Sequence, residues 1–528
     1  MDGLGASEVR TDGAPAEVMS PARAPRRRST SQRSRCVWMV ASEALPFAKS
    51  GGLGDVMAAL PDALARCGLE VTVVLPRYRG VSCDGAPLAG LPVSLGHARS
   101  IIRFFHLRRA SGVRLVLVDE PALYDREGLY GDRRGDYPDN ARRFALLVRA
   151  ALALAAHERA EVDVFHGHDW QAGLLPVYAR EASRAAGSRR PALVHTVHNL
   201  AYQGLFGPEW IGALEIPPEL YTVDGLEYWH RISFLKAALT LSDVVNTVSP
   251  GYAKDVVRPG RGFGLDGVLA ARGDRFVGIL NGIDVEIWNP AADPLIPAPY
   301  DARTLGGKTV AKRALLSTFG VPVNETTLAR PLVAMISRMV EQKGHGLIRA
   351  SAPDLFALDA SVIVVGDGDP LYEQMWRAVA AALPGRVAVR VGFDETLSHL
   401  VYAGADIFMM PSRFEPCGLS QMYSMRYGTV PVVHATGGLD DTVVAVDARG
   451  GQGTGFKFTR YEPAAFVSAL REALALYRHP DRWRAVQRRG MARDFSWAAA
   501  AGEYRQLYER AMRLSRLPGR SGNPGVFG

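Results

Sequence analysis

Cysteine is scarce in this 528-residue chain: Cys36, Cys67, Cys83 and Cys417 are widely scattered, with no C-x-x-C pair. That spacing excludes a disulfide framework and fits a reducing, cytoplasmic location. Long apolar runs are also missing, so no segment is written to cross a bilayer and no membrane partner is expected. Acidic residues are fewer than basic ones, leaving a net charge of +8, but residues 1–35 alone carry seven arginines against four acids. The body is only mildly basic, and no arginine–aromatic platform accompanies the excess, so nucleic acid is not an expected partner. No G-x-G-x-x-G stands directly after a β-branched run, as a dinucleotide fingerprint with its later acid requires, which argues against an NAD-type dehydrogenase.

What is present is globular: 48% hydrophobic and 22% charged residues, in a chain long enough for two large domains. Residues 1–35 are rich in Arg, Ser, Ala and Pro and read as a disordered leader, dispensable for activity. No apolar signal core precedes a cleavage site, and four acids weaken a transit-peptide reading. From Cys36, short β-branched runs alternate with helical stretches: "EVTVVLP", "VRLVLVD", "VDVFHGHD", "ALVHTVHN" and "DVVNTVS". A second series follows in "PLVAMISRM", "ASVIVVGDGD", "RVAVRVGF", "DIFMMPS" and "VPVVHA". Alternation of this kind predicts βαβ units and parallel sheets, one per series, hence an α/β protein with two doubly wound domains. The Pro-rich "NPAADPLIPAPYDARTLGGK" between them reads as a crossing segment.

Ligands of open parallel sheets bind beyond the carboxyl ends of the strands, and the polar or Gly-rich loops all follow strands. In "FAKSGGLGDV", Lys49, Gly51 and Gly52 stand between a strand and a helix, where free amides and a cation favour a phosphate; a tight turn with a solvated lysine is the alternative. In "ISRMVEQKGH", Arg338 and Lys343 offer a fork and a point charge for one diphosphate. Glu415, in a Pro- and Gly-bounded loop, either caps the next helix or accepts sugar hydroxyls. Cys417 lacks a histidine partner in sequence and reads better as a small buried residue than as a nucleophile. "FHGHDWQAG" and "HTVHNLAYQG" bring His166, His168, Asp169, His195, His198 and Asn199 past two strand ends, without a zinc spacing, so no metal is expected. Thr436, Gly437 and Gly438 open a helix and read as a second amide cradle.

These motifs, in this order, with "ISFLKAAL", "TVSPGYA", "LNGIDVEIWNP" and "PSRFEPCGLSQMYSMRYGTVPVV", resemble those of bacterial glycogen synthases and plant starch synthases from Cys36 to "DFSWAAAAGEYRQLY". The resemblance implies a GT-B fold, two Rossmann-like domains facing across a deep cleft. It places them at 36–280 and 281–497, with a helix at 498–516 returning to the first domain and a disordered tail at 517–528. It implies a retaining glycosyltransferase without metal or other cofactor, moving glucose from ADP-glucose to the non-reducing end of an α-1,4-glucan such as glycogen. Lys49, His198, Arg338, Lys343 and Glu415 would be catalytic. Gly51, Gly52, Asp55, Asp169, Asn199, Asn246, Phe393, Cys417, Gly418, Leu419, Thr436, Gly437 and Gly438 would bind substrate. Two departures are mild: Phe393 stands where the family often has tyrosine, and Ser420 where it often has threonine. A GT-B transferase using UDP-glucose or another acceptor, and a non-catalytic glucan-binding relative, remain the rival readings, and oligomeric state is left open.

Overall fold

The β-branched runs of the first half line up side by side. In the structure, a computed structural model that describes residues 33–83, 87–392, 394–447 and 452–517, they form a nine-stranded sheet. Its order is Phe276–Gly278, Val244–Thr247, Ala192–Val197, Val164–His168, Cys36–Val40, Glu70–Pro76, Arg114–Asp119, Ala98–Arg108 and Leu88–Leu95. The strands are parallel up to Arg114–Asp119, and the final hairpin is antiparallel. Side-chain alternation explains the layers. Cys36, Trp38 and Val40 pack with the helices Asn140–His157 and Leu175–Ala185, while Val37 and Met39 pack with Gly52–Arg66 and Trp497–Leu514. A strand covered on both faces is apolar along most of its length, with any polar side chain paired inside, which is why these runs are nearly continuous.

The second series forms a six-stranded, all-parallel sheet in the order Val387–Val391, Ser361–Gly366, Leu332–Ile336, Ile407–Met410, Val430–His434, Phe456–Phe458. Leu332 and Ala334 face one core with the helices Gly306–Thr318 and Glu395–Gly404; Val333 and Met335 face the other with His345–Phe356 and Pro463–Tyr477. Both sheets are therefore doubly wound. The chain from Arg35 onward forms one compact unit.

The two crossings between the lobes touch. Ile283 N–H donates to Phe495 O (2.7 Å), and a Cβ on Gly282 would lie 2.7 Å from Trp497 N, so only glycine lets the crossings pass this closely. Past the second crossing, the helix Trp497–Leu514 buries an apolar stripe of Tyr504, Leu507, Tyr508 and Met512 in the first lobe. Most of the Arg-rich leader (1–32), Phe393 and the tail from 518 lie outside the described residues.

Candidate active site

Strand Cys36–Val40 delivers the glycine loop to the carboxyl end of the first sheet. Gly51 is extended (φ −161°), a conformation any residue adopts, and a Cβ on Gly51 or Gly52 would meet nothing within 4 Å. Neither backbone strain nor internal packing asks for glycine here. The space that it leaves is open, as a ligand approaching the backbone requires. Lys49 Nζ lies 2.8 Å from Asp55 Oδ1, and burial raises the Asp55 carboxyl despite that cation. The open amide cradle expected at this loop needs correction. Glu43, almost fully buried, accepts from Ser50 N–H (2.6 Å), Ser50 hydroxyl (2.6 Å), Gly51 N–H (3.3 Å) and the Tyr130 hydroxyl. A carboxylate of the protein already holds the Ser50 and Gly51 amides, so the Lys49 cation, the vacant space and the helix start at Gly52 are what the loop offers a phosphate.

His166 and His168 lie inside the strand Val164–His168 and His195 inside Ala192–Val197, not past their ends as expected, and His198 alone follows. The hydrogen bonds assign tautomers to two of the four and, through one, to a third. Thr196 hydroxyl donates to Asn246 Oδ1 (2.7 Å), which uses its single proton, so it accepts from His166 Nε2 at 2.6 Å. His166 is then protonated on Nε2, and Tyr508 hydroxyl donates to its Nδ1 (2.9 Å). His168 Nδ1 stands 3.0 Å from His198 Nε2, while His168 Nε2 is buried with no partner. An orphaned N–H is rarer and costlier than a bare lone pair, so His168 donates from Nδ1. His198 is left carrying its proton on Nδ1. Burial pushes His198 down to about 3 and lowers His166 and His168 well below the usual histidine range, so all three are neutral near pH 7.

Asp169 begins the next turn with φ 53°, unusual for a non-glycine residue. Its carboxylate accepts from the amides of His198 (2.7 Å) and Asn199 (3.4 Å), and burial raises it to about 7. Asn199 uses its own Oδ1 on Ala201 N–H (3.1 Å). Asn246 requires a second correction: it is fully buried inside a strand, between Thr196 and Tyr504 hydroxyl (3.2 Å), and does not line the cleft. Both faces of that strand are covered, so a polar residue there braces the core.

On the second lobe, Lys343 ends a short turn at Glu341–Lys343. Gly344 follows at φ 88°, where a Cβ would be 2.0 Å from Pro411 O, so glycine is obligatory and brings the turn against the loop that carries Glu415. Lys343 Nζ meets Glu415 Oε2 at 2.6 Å, and Ser412 hydroxyl donates to the same oxygen (3.0 Å). Arg338 is exposed and reaches the first lobe, donating from Nη1 to Tyr202 hydroxyl (3.2 Å). Cys417 is buried, and burial pushes its thiol up, in agreement with a packing role. Gly418 sits at φ 72°, and Leu419 packs against the core at the start of the helix Ser420–Arg426.

Thr436, Gly437 and Gly438 give the third correction. Gly437 N–H donates to Asp255 Oδ2 of the first lobe (3.1 Å), and Gly438 N–H to Glu415 O (3.1 Å). The expected cradle is occupied by protein oxygens. Asp441 returns the contact by accepting from Gly251 N–H (2.6 Å), and Ser249 hydroxyl donates to Pro416 O (2.6 Å). Sequence reasoning missed Glu43, Tyr202, Asp255 and Asp441. The last two act on amides 182 and 190 residues away, a pairing with no local signal. Among the described residues no group of histidine, cysteine and carboxylate side chains is disposed to hold a metal ion, and no helix is long and apolar enough to cross a membrane.

With this geometry in place, comparison with known proteins is specific. Residues 36–271 match the family described as starch synthase catalytic domain, and residues 322–489 match glycosyl transferases group 1. A glycogen synthase of Anaeromyxobacter dehalogenans (strain 2CP-C) is 46% identical over 478 residues, covering 89% of this chain and 98% of that protein. One from Koribacter versatilis (strain Ellin345) is 43% identical over 477 residues, 90% of this chain and 98% of that protein. Among solved structures, the catalytic domain of starch synthase IV from Arabidopsis thaliana, bound to ADP and acarbose, superposes with TM-score 0.84 at 32% identity over 91% of this chain and 100% of that one. Sucrose-phosphate synthase from Thermosynechococcus elongatus, at TM-score 0.58, 18% identity and coverage of 91% and 99%, shares the fold.

Proposed function

Because this chain belongs to the glycogen synthase and starch synthase family of glycosyltransferases, we propose that its GT-B cleft moves glucose from ADP-glucose to the non-reducing end of an α-1,4-glucan. The Lys343–Glu415 pair at 2.6 Å carries the proposal, with Arg338 reaching across the cleft to Tyr202. As the bond from glucose to diphosphate breaks, the leaving group gains negative charge and the sugar becomes cationic. Lys343, aimed by Glu415, and Arg338 then stabilise the transition state more than the ground state. Lys49 supplies a further cation from the first lobe, beside the open space at Gly51 and Gly52.

His198, neutral and protonated on Nδ1, offers a hydrogen bond to a sugar hydroxyl, with Asp169 holding its backbone amide. Glu415 accepts from glucose hydroxyls with the oxygen that Lys343 leaves over. Same-face substitution places the incoming hydroxyl beside the departing phosphate, which takes the proton, and no metal enters the scheme. The structural neighbour's ADP supports an adenine nucleotide as donor. Incorporation of labelled glucose into glycogen from ADP-glucose and UDP-glucose, measured side by side, tests the reading. Transfer chiefly from ADP-glucose is expected. Transfer chiefly from UDP-glucose overturns the donor assignment, and transfer from neither overturns the reaction.

A further inference from the structure

We infer that Trp229 is a stacking platform for the acceptor glucan at the mouth of the cleft, an inference that rests on the glucosyl-transfer reading above. Trp229 is the most exposed large apolar side chain among the described residues, at 77%. With His230 it forms the two-residue loop of a hairpin in which Glu227–Tyr228 pairs with Arg231–Ser233. Both loop residues are left-handed, with φ 50° and 62°. Loops of this geometry favour Asn and Gly, because a bulky L-residue at positive φ is strained. A single exposed apolar residue needs no explanation, but one held in strain that brings it no burial does.

The hairpin is braced from beneath. Buried Lys236 donates to Val223 O and Glu227 O, both at 2.5 Å, and His230 N–H to Glu227 Oε1 at 2.7 Å. Arg231 Nη2 donates to Leu205 O (2.6 Å), in the segment that continues from His198 and Asn199. Tyr228 hydroxyl donates to Phe263 O (2.7 Å), and the Phe263 ring meets Phe414 edge-on (5.2 Å), the residue before Glu415. The hairpin is thus fixed to the first lobe and, through Phe263, stands next to the second-lobe loop that carries Glu415.

The chemistry favours a sugar polymer as occupant. A pyranose ring has a C–H face with a rim of hydroxyls, and an open indole covers such a face by dispersion and area without fixing any polar group. A rigid aromatic also gives contact area at little entropy cost. An α-glucan repeats that ring, so a contact at the mouth adds to the contact at the reacting end only in chains long enough to span both.

The test uses the full chain. Trp229→Ala should raise the KM for glycogen ~5–10-fold while kcat, the KM for ADP-glucose and the KM for maltotriose stay unchanged. Trp229→Tyr, which keeps a ring, should recover most of the glycogen affinity. His230→Gly should raise the melting temperature by relieving a left-handed residue, and leave glycogen affinity alone. Retardation in a glycogen-containing native gel reads binding without turnover. A folded Trp229→Ala chain retarded as strongly as wild type, or one that loses maltotriose as severely as glycogen, overturns the inference while the reaction stands. A wild-type chain that is retarded by glycogen through Trp229 but transfers no glucose overturns the reaction while the platform stands.

Discussion

Two Gly–Gly pairs in this chain look alike in sequence, each following a strand and opening a helix, yet they do opposite things. A Cβ on Gly51 or Gly52 meets nothing within 4 Å, whereas one on Gly437 would lie 2.1 Å from Glu415 O and one on Gly438 2.2 Å from Cys417 O. The first pair leaves room in front of the backbone. The second lets backbone touch backbone, with Gly437 N–H held by Asp255 of the opposite lobe. The same residue type thus marks access on one lobe and contact on the other, and the amides alone do not distinguish them, since both loops have some taken by protein oxygens. What distinguishes them is the space around Cα.

The largest effect expected lies in the machinery that the second lobe's contacts hold in place. Lys343→Ala removes one preorganised cation and should cut kcat by ~10²–10³. It also leaves the buried Glu415 carboxylate with Ser412 alone, so the melting temperature falls while the chain stays folded. Steady-state kinetics beside a thermal scan checks it, and near-normal turnover in a folded variant would remove Lys343 from the chemistry. Gly438→Ala comes next. Its methyl group cannot fit against Cys417 backbone, and the obstacle is no flexible side chain, so the 415–418 loop must move. A stability loss of about 2–4 kcal/mol is expected, at the upper end for a point change, with activity falling alongside. Urea unfolding measures it. A Gly438→Ala chain as stable as wild type would break the comparison on its contact side.

The access side is tested by Gly52→Ala. Nothing in the protein opposes the methyl group, so stability should stay within ~0.5 kcal/mol. If a donor phosphate or sugar approaches this backbone, the KM for ADP-glucose should rise roughly tenfold, a loss of about 1.4 kcal/mol. An unchanged KM would mean that the open space is only a turn.

Much of this was legible beforehand, for a physical reason. Strands covered on both faces are apolar along most of their length, and all ten quoted runs of the two series contain strands of the two sheets. The edge hairpin Leu88–Leu95 and Ala98–Arg108 was not, because alternation with Arg99 and Arg103 turned outward reads as surface. In the site, Lys343 and Glu415 stood out because glycine and proline punctuate their loops. Glu43 did not, since an acid after a strand looks solvated until its burial is known. Asn246 was named only through the family resemblance, which does not tell a cleft position from a core one, and its place inside a doubly covered strand turns it into the core.

The smallest effect sharpens the comparison most. Asp255→Asn keeps an acceptor for Gly437 N–H but removes a negative charge from an amide that begins a helix. As a cap it should cost under ~1 kcal/mol, the usual worth of such a charge or cap. Asp441, which accepts from Gly251 N–H at 2.6 Å, and Ser249, which donates to Pro416 O, stay in place, so the two lobes keep these other cross-contacts. The informative readout is the KM for ADP-glucose. If Gly437 serves contact alone, the KM stays where it was. If a donor phosphate competes with the Asp255 carboxylate for that amide, removing the charge lowers the KM, and the second glycine pair becomes a ligand site that the protein covers with its own carboxylate. A several-fold fall in KM with unchanged kcat would therefore collapse the division between access and contact, and a KM equal to wild type would keep it.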